Sequence, residues 1–149
     1  MLPKAHTILG FIFSILALLI FPKIGLLGFI IIWAASVLID VDHYLYYVFV
    51  KKDLSLKRAY KWFKSMMDEM LKTPYKERIK IKDNMIFFLH GIESLVIFGL
   101  LSFTHKIFLY IWIGFLFHHF LDFINALYLN VRLKSHFGSL IWNILTRDK

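Results

Sequence analysis

Nine ionisable side chains stand inside otherwise apolar stretches of this chain: His6; Asp40, Asp42 and His43; His90 and Glu93; His118, His119 and Asp122. Each is expensive there, since insertion scales charge roughly 2.5–3.5 kcal/mol for an Asp at the centre of a membrane helix. Imidazole and carboxylate together are ligands for zinc, manganese, iron or nickel. The sequence has no cysteine, which excludes disulfides and thiolate metal sites. On a helix, His118 and Asp122 are one turn apart (i,i+4), and His119–Asp122, His90–Glu93 and Asp40–His43 are i,i+3 pairs. A His with a carboxylate one turn away, contributed by facing helices, is how helical bundles build metal sites.

Each residue also has a plainer reading. His6 alone reads as a packed or interfacial histidine, and His90 with Glu93 as a buried ion pair. His118 and His119 are neighbours and cannot share a helix face, so His118 is the ligand candidate and His119 a core or supporting residue. His105 and His136 read as interfacial. Asp40 and Asp42 lie about 160° apart around an ideal helix, so either the helix distorts or one carboxylate acts behind the other. The set as a whole favours one shared site. Its candidate metal ligands are His6, Asp40, Asp42, His43, His90, Glu93, His118 and Asp122. Of these, His118, Asp122, Asp42 and His43 are expected to touch the ion directly. Asp42 and Glu93 are both open as the general base. Zinc is the expected metal, with manganese the alternative. More than one ion is expected, because the available side chains exceed the four of a tetrahedral site.

The elements that must position these groups follow from hydropathy. Mean hydropathy is +0.66 and 59% of residues are hydrophobic, above the roughly 45–50% of soluble domains. Four apolar stretches, 2–21, 24–50, 85–103 and 107–131, approach or exceed the about 20 residues that cross a bilayer. The expected fold is all-α: a single membrane domain over 1–149, a four-span bundle with an amphipathic helix in the connection 51–84. The first stretch is too long for a signal-peptide core and is expected to stay in the mature protein. The connection carries eleven Lys/Arg against five Asp/Glu. With Arg132, Lys134, Arg147 and Lys149 near the chain's end, this bias predicts a multi-pass protein of the cell membrane with the connection and both termini cytoplasmic. The site residues then fall on the cytoplasmic side, with His118 near the middle of its span. Leu56, Tyr60, Phe63, Met67 and Met70 recur at helical spacing between lysines. They predict a helix on the anionic leaflet or one packed on the bundle end. This surface accounts for most of the net charge of +8 without a nucleic-acid partner.

Four elements carry a family resemblance: His6; Asp40-Val41-Asp42-His43; His90-Gly91-Ile92-Glu93-Ser94; and Gly114 to Asp122 as Gly-x-x-x-His-x-x-x-Asp. Over residues 3–130 the chain resembles the YdjM-like, LexA-regulated membrane-bound metal-dependent hydrolase family. That family is distantly similar to zinc-dependent phospholipase C and single-strand nucleases. The resemblance implies a His/Asp/Glu zinc cluster and a phosphoester substrate such as a lipid head group.

The leading functional expectation is therefore a membrane-embedded metal-dependent hydrolase of phosphodiesterase or phospholipase type, with membrane lipid as its surroundings and candidate substrate. The alternative is transport of a divalent cation or proton through the same cluster, for which a homo-oligomer would supply the room that a small bundle lacks. Haem binding is disfavoured by the carboxylates, and a purely structural role by the number of buried charges. His-Glu-x-x-His and Gly-x-Ser-x-Gly are both missing. The sidedness is directly testable in this cysteine-free chain: an impermeant thiol reagent outside intact cells should modify a Cys at Lys23 and spare one at Lys80. The reverse pattern overturns the assignment.

Overall fold

The computed structural model describes residues 3–81, 85 and 87–131. Its helices are α1 (Pro3–Ile20), α2 (Gly25–Leu38), α3 (Val41–Lys51), α4 (Leu56–Lys72), α5 (Ile92–Leu101) and α6 (Lys106–Leu129), with 3-10 turns at Pro22–Ile24 and Tyr75–Lys80. Pro22 opens the first 3-10 turn, where its missing N–H costs nothing, and Gly25 follows with φ 66°. This reversal makes α1 and α2 antiparallel neighbours. α3 ends at Lys52, in the left-handed region with φ 54°. Ser55 then caps α4, its Oγ accepting the Arg58 N–H at 3.3 Å. The α5–α6 turn closes on His105, whose Nδ1 accepts the Ile107 N–H at 3.2 Å. Asn130, at φ 53°, ends α6, and its side-chain amide donates to the Tyr75 carbonyl at 2.8 Å.

α2 is the central helix, packed between α1 and α6, and α5 packs on α6. Leu19, Leu26, Leu27, Leu100 and Phe103 are all exposed, an apolar exterior typical of a lipid-facing surface.

The expected four-span bundle is not what forms. Among the described residues, two helical stretches are long and apolar enough to cross a membrane: Pro22–Lys51 (30 residues) and Lys106–Leu129 (24 residues). The stretch 2–21 yields an apolar helix over Lys4–Ile20, short of that length. The stretch 85–103 is helical only over the ten residues Ile92–Leu101, about 15 Å at 1.5 Å per residue. The physical reason is local: residues 87–91 are extended or bent, and Gly91 enters α5 from ψ 152°. The stretch 24–50 also departs from one straight helix, because the chain bends at Ile39 and Asp40 between α2 and α3. Arg132, Lys134, His136, Arg147 and Lys149 lie outside the described residues.

α2 and α6 approach closely at Gly114. A Cβ there would meet the Ile32 carbonyl oxygen at 2.6 Å, the Ala35 Cβ at 2.7 Å and the Ser36 nitrogen at 3.0 Å. Backbone and Cβ atoms cannot swing aside, so Gly114→Ala must push the helices apart. It should destabilise the protein by about 1–3 kcal/mol, the usual range for overpacking. Thermal unfolding in detergent measures this, and an unchanged midpoint would contradict the packing described.

Candidate metal centre

The bend at Ile39–Asp40 answers the 160° problem. Because Asp40 precedes α3 and Asp42 lies in its first turn, both carboxylates reach the same ring: His43 Nδ1 is 3.0 Å from Asp42 Oδ1 and 3.5 Å from Asp40 Oδ1. His90 comes from the irregular segment before α5, and His118 and Asp122 come from one face of α6. His6 comes from α1 and stacks on His118 with ring centroids 4.0 Å apart. His6, Asp42, His90, His118 and Asp122 are buried, while Asp40 and His43 keep 16% and 23% of their side-chain surface.

Four donor atoms converge. His90 Nε2 and His118 Nε2 face each other at 3.0 Å. Asp40 Oδ1 is 3.6 Å from each of them. Asp122 Oδ2 is 3.2 Å from His118 Nε2 and 3.7 Å from His90 Nε2. A tetrahedral ion with bonds of about 2.0–2.2 Å needs donors about 3.3–3.6 Å apart, close to the 3.0, 3.6 and 3.6 Å edges of the Asp40–His90–His118 triad. Three groups with metal-ligand spacing overlap here: Asp40–His90–His118, His6–His118–Asp122 and Asp42–His43–His90.

The outer ring nitrogens decide what the inner ones can do. His118 Nδ1 lies 2.8 Å from the Ser36 carbonyl oxygen, which can only accept, so Nδ1 carries the proton and Nε2 presents a lone pair. His90 Nδ1 lies 3.0 Å from Asp42 Oδ2 and donates to it. The two Nε2 atoms therefore need one positive charge between them, and either a proton or a divalent ion supplies it. The Asp40 and Asp42 carboxylates, 3.6 Å and 3.0 Å from the His90 ring nitrogens, favour that positive charge. Three further buried atoms have no hydrogen-bond partner. Neither ring nitrogen of His6 makes a hydrogen bond, although Nε2 is 3.2 Å from Asp122 Oδ1, and Asp40 Oδ2 is buried without a donor. The donor set thus suits a divalent metal, and the cluster is able to chelate one.

The remaining predicted residues hold other places. Asp42 is fully engaged: its Oδ2 accepts from the Leu89 N–H at 3.0 Å and from His90, while its Oδ1 faces His43. Its Oδ2 fixes the His90 ring from behind, and with His43 and His90 it also forms one of the three groups with metal-ligand spacing. Glu93 is half-buried in the first turn of α5 and belongs to none of the three groups. His90 precedes α5, which starts at Ile92, so the two do not share the regular helix turn that their spacing suggests. His119 has a part that sequence reasoning had left as core or support. Its ring spans from the Phe115 carbonyl (Nδ1, 2.8 Å) to the His90 carbonyl (Nε2, 3.2 Å), so it braces the His90 segment. Ser36 was missed altogether, because its contribution is a backbone oxygen. His105 caps α6 at the far end.

No family model, no curated protein and no solved structure matches this chain.

Two outcomes follow from the geometry. Asp42→Asn should weaken metal binding roughly 10- to 100-fold, the usual effect of losing a partner behind a histidine ligand. A metal at the two Nε2 atoms must displace the proton that otherwise lies between them. Apparent zinc affinity, measured by competition with a chromophoric chelator, should therefore rise with pH, by up to about tenfold per unit while that proton is bound. An affinity that does not change with pH would count against His90 Nε2 as a ligand.

Proposed function

We propose that this protein is a metal-dependent hydrolase working at the membrane, with one zinc-class ion held by Asp40, His90, His118 and Asp122. The observation that carries the reading is the facing pair of His90 and His118 Nε2 atoms, flanked by Asp40 and Asp122 and fixed by hydrogen bonds behind both imidazoles. The reading revises the sequence expectation of several ions toward one, with His6 beside Asp122 as a supporting group. A divalent ion at this place supplies Lewis acidity and activates a water. The chain's own residues do the rest. Asp42 and the Ser36 carbonyl hold the two imidazoles in their metal-binding tautomers. Asp40 would hold the ion through one carboxylate oxygen, and its Oδ2, which lacks a hydrogen-bond donor, would accept the proton of an attacking water. Asp40 and His43 are the exposed edge of the cluster, so substrate arrives there. The resemblance to the YdjM-like hydrolases and the lysines of α4 at this end of the molecule favour a phosphoester, such as a lipid head group.

The Lys/Arg bias supports a cytoplasmic position for the cluster end. The start of α1, the end of α6 and the connection meet there, since His6 contacts Asp122 and Asn130 contacts Tyr75. Ion or proton transport is disfavoured by the opposite half. No Asp, Glu, His, Lys or Arg stands between the cluster and Lys23, His105 and Lys106, so a relay has no next station.

Purified protein should contain close to one equivalent of metal and release nitrophenol from bis-p-nitrophenyl phosphate. His118→Ala should lose both metal and activity, and Asp40→Asn should lose turnover out of proportion to metal. His105→Ala should change neither. Metal-replete protein that hydrolyses neither this probe nor phospholipid, but passes ions across liposomes, would replace the hydrolase reading with transport.

A further inference from the structure

The elbow between α3 and α4 has a composition that the metal centre does not use. The stretch Pro22–Lys51, long enough to cross a membrane, ends at this elbow, and four large apolar side chains stand exposed around it. Phe49 is 74% exposed, Leu54 76% and Leu56 68%, and Val50 is exposed as well. Interleaved and following are Lys51, Lys52, Lys57, Arg58, Lys61 and Lys64, against a single acid, Asp53. That acid is spent internally. Arg58 donates to it twice at 2.6 Å, the Tyr47 hydroxyl donates at 2.5 Å and the Ser55 N–H at 3.0 Å. These bonds hold the Asp53 carboxyl well below the usual range and leave the lysines without a carboxylate in this segment.

The same bonds make the elbow rigid. Lys52 turns the chain in the left-handed region, and the Tyr44 hydroxyl donates to the Leu54 carbonyl at 2.8 Å. Leu54 is therefore held outward by its backbone. The inner face of α4 is already occupied: Trp62 packs on Tyr46 and Tyr47, and Phe63 on His43. The apolar residues left over are those at the elbow. Burying them in water's place, with ammonium groups alongside, is what the boundary of an anionic bilayer offers.

We infer that the α3–α4 elbow is a membrane-docking surface, in which Phe49, Val50, Leu54 and Leu56 enter the interface of a leaflet whose anionic head groups are held by Lys51, Lys52 and Lys57. This surface stands independently of the chemistry at the metal centre. It also fixes the position of α4, whose Phe63 covers His43 at the cluster's exposed edge.

The test uses the full chain with a single cysteine, Leu54→Cys, carrying an environment-sensitive fluorophore, in nanodiscs. One set is phosphatidylcholine alone and the other equal parts phosphatidylcholine and phosphatidylglycerol. The expected result is a blue-shifted emission and several-fold lower acrylamide quenching in the anionic discs. Changing Lys51, Lys52 and Lys57 to Gln, or raising the salt concentration with the lysines intact, should remove the difference without altering bound metal. A label at Leu56→Cys should report the same. Full quenching in both discs at both positions overturns the proposal. So does equal protection in both discs that ignores the lysine changes, because that would mark a contact with protein, including a second copy of the chain.

Discussion

One positive charge between His90 Nε2 and His118 Nε2 is the constraint on which the cluster end of this molecule rests. The two nitrogens are 3.0 Å apart, and each ring has its other nitrogen engaged. With both lone pairs facing inward the pair would repel, and Asp40 and Asp122 beside it would be buried carboxylates without adequate compensation. A cation between them would turn these mutually unfavourable groups into ligands of one charge. It also explains why so many partners of the imidazoles are acceptors: the Ser36 carbonyl and the Asp42 carboxylate each fix a proton on the outside, leaving the inside for the cation.

That arrangement depends on backbone proximity before it depends on side-chain chemistry. The 2.8 Å bond from His118 Nδ1 to the Ser36 oxygen exists because α2 and α6 touch one turn earlier, where Gly114 has no Cβ to hold Ile32 and Ala35 away. On the other side of the same imidazole, α1 brings His6 into a stack over His118. The helix packing and the metal centre are consequently one structure. A change that widens the α2–α6 contact alters the ligand geometry without touching a ligand.

Much of the site was legible in the sequence, and the reasons for the gaps are specific. His118 and Asp122 share a face because α6 is a regular helix, so spacing alone was enough. Asp40 and Asp42 could not be reconciled with each other from spacing, because the bend between Leu38 and Val41 has no proline or glycine to announce it. His90 and Glu93 were paired on a helix that begins only at Ile92, and apolar composition gives no sign of the extended segment before it. The same segment explains the miscounted spans. Hydropathy registers that residues 87–91 belong among apolar neighbours, but not that they lie there without helical structure. Ser36 acts through its carbonyl, which no side-chain pattern records.

An irregular segment placed among apolar helices must have its backbone groups satisfied by something other than a helix, and the donors and acceptors found around residues 89–91 meet that demand. The Leu89 N–H donates to Asp42. The Leu89 and Gly91 carbonyls both accept from the Ser94 hydroxyl. The His90 carbonyl lies against His119 Nε2. The side chains that stand in for a helix are thus Asp42, Ser94 and His119, two of which belong to the polar constellation itself. Had residues 87–91 been helical, these carbonyls would be paired internally, and Asp42 and His119 would lose their backbone partners. The polar residues around the cage therefore have two tasks that cannot be separated. They tune the imidazoles, and they hold in place the non-helical backbone that carries His90 to the centre.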